Sequence, residues 1–241
     1  MRRDRVVLRI SIRQRRAARL AVVAFGGCIA LAACGPVQLG SAAIVGGDRI
    51  TSSTLATEVS NLNNSYHADK VRLAFPTSQM PQVVLAWLLR FRIREELAKR
   101  EGITVSQGDV QRALSEISSQ GKASGIPSLS ALAVQNGLPP NLVNSDLGRY
   151  QAIANALVDR LDGGKTPRSS TAQQALNQAF DHAQCMAAKN LDIKVNPQFG
   201  RFDYGQLNVV APANTLSAPE PGASASPSAS PSAKPQFTPA C

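Results

Sequence analysis

The stretch PQVVLAWLLRFRIREELAKREG, Pro81 to Gly102, decides the fold. Val83, Val84, Trp87, Leu88 and Phe91 recur at helical spacing along one side, and Leu85, Leu89, Ile93 and Leu97 along another. Arg90, Arg92, Arg94, Lys99 and Arg100 gather toward the later turns, where cations suit the carbonyl end of a helix. Pro81 in the first turn and Gly102 just past the last turn mark where it starts and stops. A helix that is apolar around most of its first half has to be surrounded by other elements. The stretch therefore predicts the central helix of a mainly α domain. Burial in that core is one use for its large side chains, and exposure of part of the surface for binding is another.

Working outward, Ile103-Thr104-Val105 leads to Ser106 with Asp109 three residues on, a capping-box variant. Val110, Ala113, Leu114 and Ile117 then form an amphipathic stripe in a helix expected to end before Gly121. A short helix over Leu129 to Asn136 stops at Gly137, and Pro139-Pro140 opens another with Leu147, Tyr150, Ala154, Leu157 and Leu161 inward. After the break Gly163 to Pro167, an alanine-rich helix runs from Thr171 to Asn190, with Ala175, Ala179, Ala183 and Met186 inward. Upstream of the central helix, Ala42 to Val45, Gly46-Gly47-Asp48 and the Ser/Thr cluster at 51–54 read as strand, turn and capped helix, the helix reaching about Asn63. Residues 63–79 are polar and read as irregular. Leu191 to Val195 is strand-like and could pair with Ala42 to Val45. The expectation is a single domain over residues 42–210, of about five to six helices, closed by a short two-stranded β pairing of its N- and C-terminal ends.

The segments outside that domain have a different character. Residues 1–19 carry eight arginines and one acid, and an apolar run follows from Leu20 to Ala33. This is the pattern of an export signal over residues 1–33. The run falls short of the roughly 20 apolar residues that a transmembrane helix needs. It ends in Leu31-Ala32-Ala33-Cys34-Gly35, which resembles the lipobox of bacterial lipoproteins, where the cysteine is lipidated and becomes the first residue. The resemblance implies lipidation at Cys34, a tether over residues 34–41 and a place on the outer face of the cytoplasmic membrane. Arg15-Arg16 leaves the general secretory and twin-arginine routes both open. Residues 211–241, rich in Pro, Ala and Ser, cannot bury enough apolar area to offset their ordering entropy and read as a disordered tail.

The formal net charge of +10 suggests an anionic partner, yet eight of the 26 basic side chains and one of the 16 acids precede Cys34, which leaves +3 beyond it. A nucleic-acid partner argued from basicity is thereby excluded. The Arg90 to Lys99 cluster could touch anionic lipid headgroups once the anchor brings the domain close. Glu95, Glu96, Glu101 and Glu116 lie beside basic residues and read as solvated pairs. His67 and His182 lack further ligands at zinc spacing, so no metal and no cofactor is expected. No nucleophile elbow, phosphate loop or zinc-protease motif occurs. Outside the cytoplasm, Cys185 and Cys241 could form a disulfide, stay free or bond to another chain.

Ala42-Ala43-Ile44-Val45-Gly46-Gly47-Asp48-Arg49-Ile50-Thr51, Leu97 to Val110, Leu132 to Leu138 and Val195 to Asp203 together resemble the N-terminal chaperone domain of the SurA and PrsA families of exported foldases. Those families commonly insert a parvulin-type prolyl isomerase before the closing helix. Here only Asp162 to Ser170 intervenes, far below the roughly 50 residues of the smallest ordinary domains. The resemblance implies a non-enzymatic module that holds extended apolar segments of unfolded exported polypeptides, with Met80, Trp87, Leu88 and Phe91 as the candidate client-binding residues. A lipoprotein that uses the same scaffold to station an envelope protein is the alternative.

Overall fold

The computed structural model describes residues 40–164, Pro167 and residues 169–211 of the 241-residue chain. The expected signal, Cys34, most of the tether, Cys241 and the tail beyond Ala211 lie outside the described residues.

The chain enters through β1, Ser41–Val45, which turns at Gly46-Gly47 into β2, Asp48–Thr51. Both glycines have positive φ, +57° and +93°, the backbone that a tight two-residue hairpin of this twist requires. A Cβ at Gly46 would also come within 2.8 Å of Leu191. The sequence reading had strand, turn and helix here; the structure inserts β2 before the helix. Ser41, expected in the tether, belongs to β1 and is fully buried, donating to the Ala43 carbonyl. β3, Lys194–Val195, adds to the other edge of β1, pairing Ala43 with Val195 and Ile44 with Lys194. The two-stranded closure is thus corrected to a three-stranded antiparallel sheet in the order β2-β1-β3, because Asp48 to Thr51 also finds a ladder.

Six α-helices follow in the described residues. α1, Ser52–Asp69, is capped by the Thr51 hydroxyl accepting from the Thr54 amide at 3.0 Å. It runs past Asn63 because Leu62 is wholly buried and Tyr66 packs on the core, so tertiary burial extends a polar sequence that lacks helical periodicity. A short 3₁₀ turn, Thr77–Gln79, leads into α2, Met80–Glu101, which ends at Gly102 as expected. α3, Gln107–Ala123, starts on a full capping box of Ser106 and Asp109 and continues through Gly121, which lies buried against Leu132. α4, Leu129–Gln135, is followed by the Pro139-Pro140 turn and one π-helical stretch, Val143–Leu147, before α5, Gly148–Leu161, and α6, Ser170–Asn190. β4, Arg201–Asp203, and β5, Asn208–Val210, form a separate antiparallel hairpin.

α2 has an apolar cluster on each flank. One joins its Val84, Leu85, Leu89, Ile93 and Leu97 to β1, α1, the last turns of α6 and the β4–β5 hairpin. The other joins Phe91 to Val110, Ala113 and Leu114 of α3, Leu138 beyond α4 and Ala152 of α5. Each such side chain taken fully out of water contributes about 1.5–3 kcal/mol, so α2 serves as the hub of both clusters. Two stripes differ from the sequence reading. Leu161, expected inward, is the one exposed large hydrophobic residue among those described, and on α6 the buried face is Leu176, Gln184, Cys185, Ala187 and Ala188 while Ala175 and Ala179 are exposed. The reason is that the described neighbours cover α6 mainly along its C-terminal half, so the alanine spacing upstream faces solvent.

Candidate functional site

Two concavities lie along α2, and they divide the four candidate client-binding residues between them. The first runs beside α1. Leu55, Ala56 and Val59 of α1, Met80 and Pro81 of α2 and Phe199 enclose about 560 Å³. Ser52, Ser60 and Asn63 of α1 and Thr77 and Ser78 of the 3₁₀ turn supply its polar edges. The trough exists because the 3₁₀ turn lifts the chain into α2 alongside α1, leaving the small Ala56 where a larger residue would fill the space. Met80, only 4% exposed, forms part of its floor.

The second concavity, of about 270 Å³, sits where β2, α1, α2, the π-helical stretch and α5 meet. Ile50, Leu88, Phe91 and Tyr150 supply its apolar lining, and Thr54, Arg49, Arg92, Glu95, Asp146 and Arg149 its polar one. Leu88 and Phe91 therefore come together here, while Met80 is placed in the other groove. Trp87 lines neither; its ring stands 5.8 Å from Phe91 and 6.0 Å from Tyr150, and its indole N–H donates to the Asn136 carbonyl at 2.9 Å. An aromatic cluster thus backs the second cleft.

Arg149 donates to Glu95 through Nε at 2.5 Å and Nη2 at 2.9 Å, a bidentate fork between α5 and α2. This hydrogen bonding raises the Arg149 pKa above its ordinary value. With the two side chains 44% and 36% exposed, solvent screening holds the pair to about 0–1 kcal/mol of stability, so its effect is to position the two groups. The expectation that Glu95 pairs with a neighbour on its own helix is corrected accordingly.

The basic cluster is also used differently from the sequence reading. Arg94 is 3% exposed, stacks over Tyr150 at 4.1 Å and faces Phe180 at 5.0 Å, and donates through Nη2 to Gln184 Oε1 at 2.8 Å. Its Nε and Nη1 are buried without a hydrogen-bond partner. Burial lowers its pKa, with the Tyr150 hydroxyl opposing the shift. Arg90 donates to the Leu207 carbonyl at 3.0 Å and covers the Trp87 ring. Both cations therefore hold elements together rather than facing solvent. The signal was present in the spacing, because residues 87, 91 and 94 fall on one helical stripe and Arg94 continues the aromatic side.

His67 and His182 are both exposed, and among the described residues no cluster of three or more His, Cys, Asp or Glu could hold a metal ion. No helix among them is long and apolar enough to cross a membrane. Cys185 is 2% exposed and disulfide-bonded, while Cys241 lies outside the described residues. No family model, curated protein or solved structure matches the chain.

Proposed function

We propose that this chain is an extracytoplasmic lipoprotein, held on the outer face of the cytoplasmic membrane by lipid on Cys34, whose helical domain holds extended apolar segments of unfolded exported polypeptides. It does so without ATP, without a cofactor and without prolyl isomerase activity, and its lineage is that of the SurA and PrsA N-terminal domains. The observation that carries this reading is the α1 trough. An open apolar channel with hydroxyl and amide side chains along its edges suits a client strand, because the floor takes its side chains and the edges accept and donate to its backbone. The short connection between α5 and α6, residues 162–169, supports the lack of an isomerase at that place.

The test is aggregation of a chemically unfolded client, followed by light scattering, with the full chain anchored in lipid vesicles. The wild type is expected to delay aggregation. Ala56→Trp, which fills the trough from an exposed helical position, is expected to remove most of the delay while leaving the unfolding midpoint nearly unchanged. A wild type without any delay, or a variant as protective as the wild type, refutes the reading.

A second reading, a lipoprotein that stations one envelope partner, is favoured by the sparseness of exposed large hydrophobic residues, with Leu161 alone among the described residues. Crosslinking in cells separates the two: many clients support the first, and one dominant partner supports the second.

A further inference from the structure

We propose that the cleft between α2 and α5 binds the free C-terminal residue of a polypeptide, taking its carboxylate on Arg92 and its apolar side chain against Leu88, Phe91 and Tyr150. The cleft is separate from the α1 trough and stands or falls independently of it.

Size sets the first limit. At about 270 Å³ the cleft sits below the roughly 300–1,000 Å³ of pockets that enclose whole drug-sized ligands, so it admits about one residue and excludes a helix. Charge sets the second. Arg149 and Glu95 neutralise each other, so the charge a ligand meets at the rim is the single guanidinium of Arg92, which suits a monoanion, and the carboxylates of Glu95 and Asp146 nearby disfavour a dianionic phosphate.

The partners of these groups single out the anchoring residue. The Arg149 fork is taken by Glu95, Arg49 is engaged in an interaction of its own, and Asp146 accepts from the Ser145 hydroxyl at 2.5 Å. The Arg92 side chain is exposed at the rim, and its guanidinium makes no ion pair or hydrogen bond with any described residue. A guanidinium presents a planar pair of N–H donors that fits a carboxylate bidentately, which an uncharged amide cannot reproduce. Phe91, 7% exposed, and Ile50, 7% exposed, give the cleft an apolar base, so the terminal side chain that fits is aliphatic or aromatic. The rim is open to solvent at Arg92, which lets the rest of the chain leave without threading.

The chain has a single tryptophan, Trp87, packed against Phe91 and Tyr150, so its emission reports occupancy of the cleft. The experiment titrates the full chain in detergent with a short peptide ending in phenylalanine, with the same peptide as its C-terminal amide, and with N-acetylphenylalanine. The free-acid peptide is expected to give a saturable change, with the amide about tenfold weaker or more. Arg92→Gln is expected to abolish the discrimination between acid and amide while leaving the unfolding midpoint in place. Equal binding of acid and amide, or discrimination that survives in Arg92→Gln, overturns the proposal. N-acetylphenylalanine binding as tightly as the peptide assigns the cleft to free carboxylic acids and overturns the polypeptide assignment. Ala56→Phe, which fills the trough without adding a second tryptophan, is expected to leave this titration unchanged, so that failure here and failure of the trough are distinguishable.

Discussion

Replacing Gly137 by alanine tests how the turn after α4 is locked onto α2. Gly137 has φ +76°, and a Cβ there would stand 2.3 Å from Val83 Cγ1 and 2.8 Å from Phe75 Cε1. Two costs add. A left-handed backbone at a non-glycine residue costs about 1–2 kcal/mol. Overpacking a filled site costs about 1–3 kcal/mol, and here α2 and the segment carrying Phe75 would both have to move. The Ala74 amide donates to Gln135 at 2.9 Å and the Trp87 indole to Asn136, so neither neighbour shifts freely. The sum is roughly 2–5 kcal/mol, a large share of the ~5–15 kcal/mol that holds an ordinary domain. With a urea m-value near 2 kcal/mol/M the unfolding midpoint falls by about 1–2.5 M. Trp87 emission follows the transition at the turn in question. Gly125→Ala is the control, because its φ is +79° and nothing lies within 4 Å of the added methyl, so only the backbone cost of about 1–2 kcal/mol applies. Equal losses in the two variants would refute the packing argument.

Two further predictions concern charge and redox state. The Ser106 hydroxyl and amide hold the Asp109 pKa below its ordinary value. The unfolded pKa is about 3.9, so this stabilisation is complete above that value and is lost as pH falls through the lower folded pKa. Asp109→Asn is therefore expected to be less stable than wild type at neutral pH, with the gap closing on acidification below about pH 4; a gap in urea midpoint that does not change with pH would sink the idea. Peptide mapping without reductant should find Cys185 in a linked peptide that separates on reduction, and recovery of alkylated Cys185 from the unreduced, denatured chain would contradict the bond in the structure.

The period of the apolar residues and the capping residues were enough, read alone, to make the domain mainly helical and to place most helices, because both signals are local. Pro81 and Gly102 bound α2, Ser106 with Asp109 starts α3, and Gly137 follows α4, each through its own backbone chemistry. What periodicity could not supply was the partner of each face. α1 continues to Asp69 only because Leu62 and Tyr66 meet the core, and β2 is a strand only because β1 lies beside it. The same holds for the candidate sites. Met80, Leu88 and Phe91 could be picked from one helix, but their assignment to two different concavities follows from which elements pack around α2. The Arg149–Glu95 fork joins residues 54 apart in sequence, and Arg94 is buried by side chains from α5 and α6. Such pairings are decided by long-range packing, in which a charge's surroundings depend on helices that its own segment does not encode.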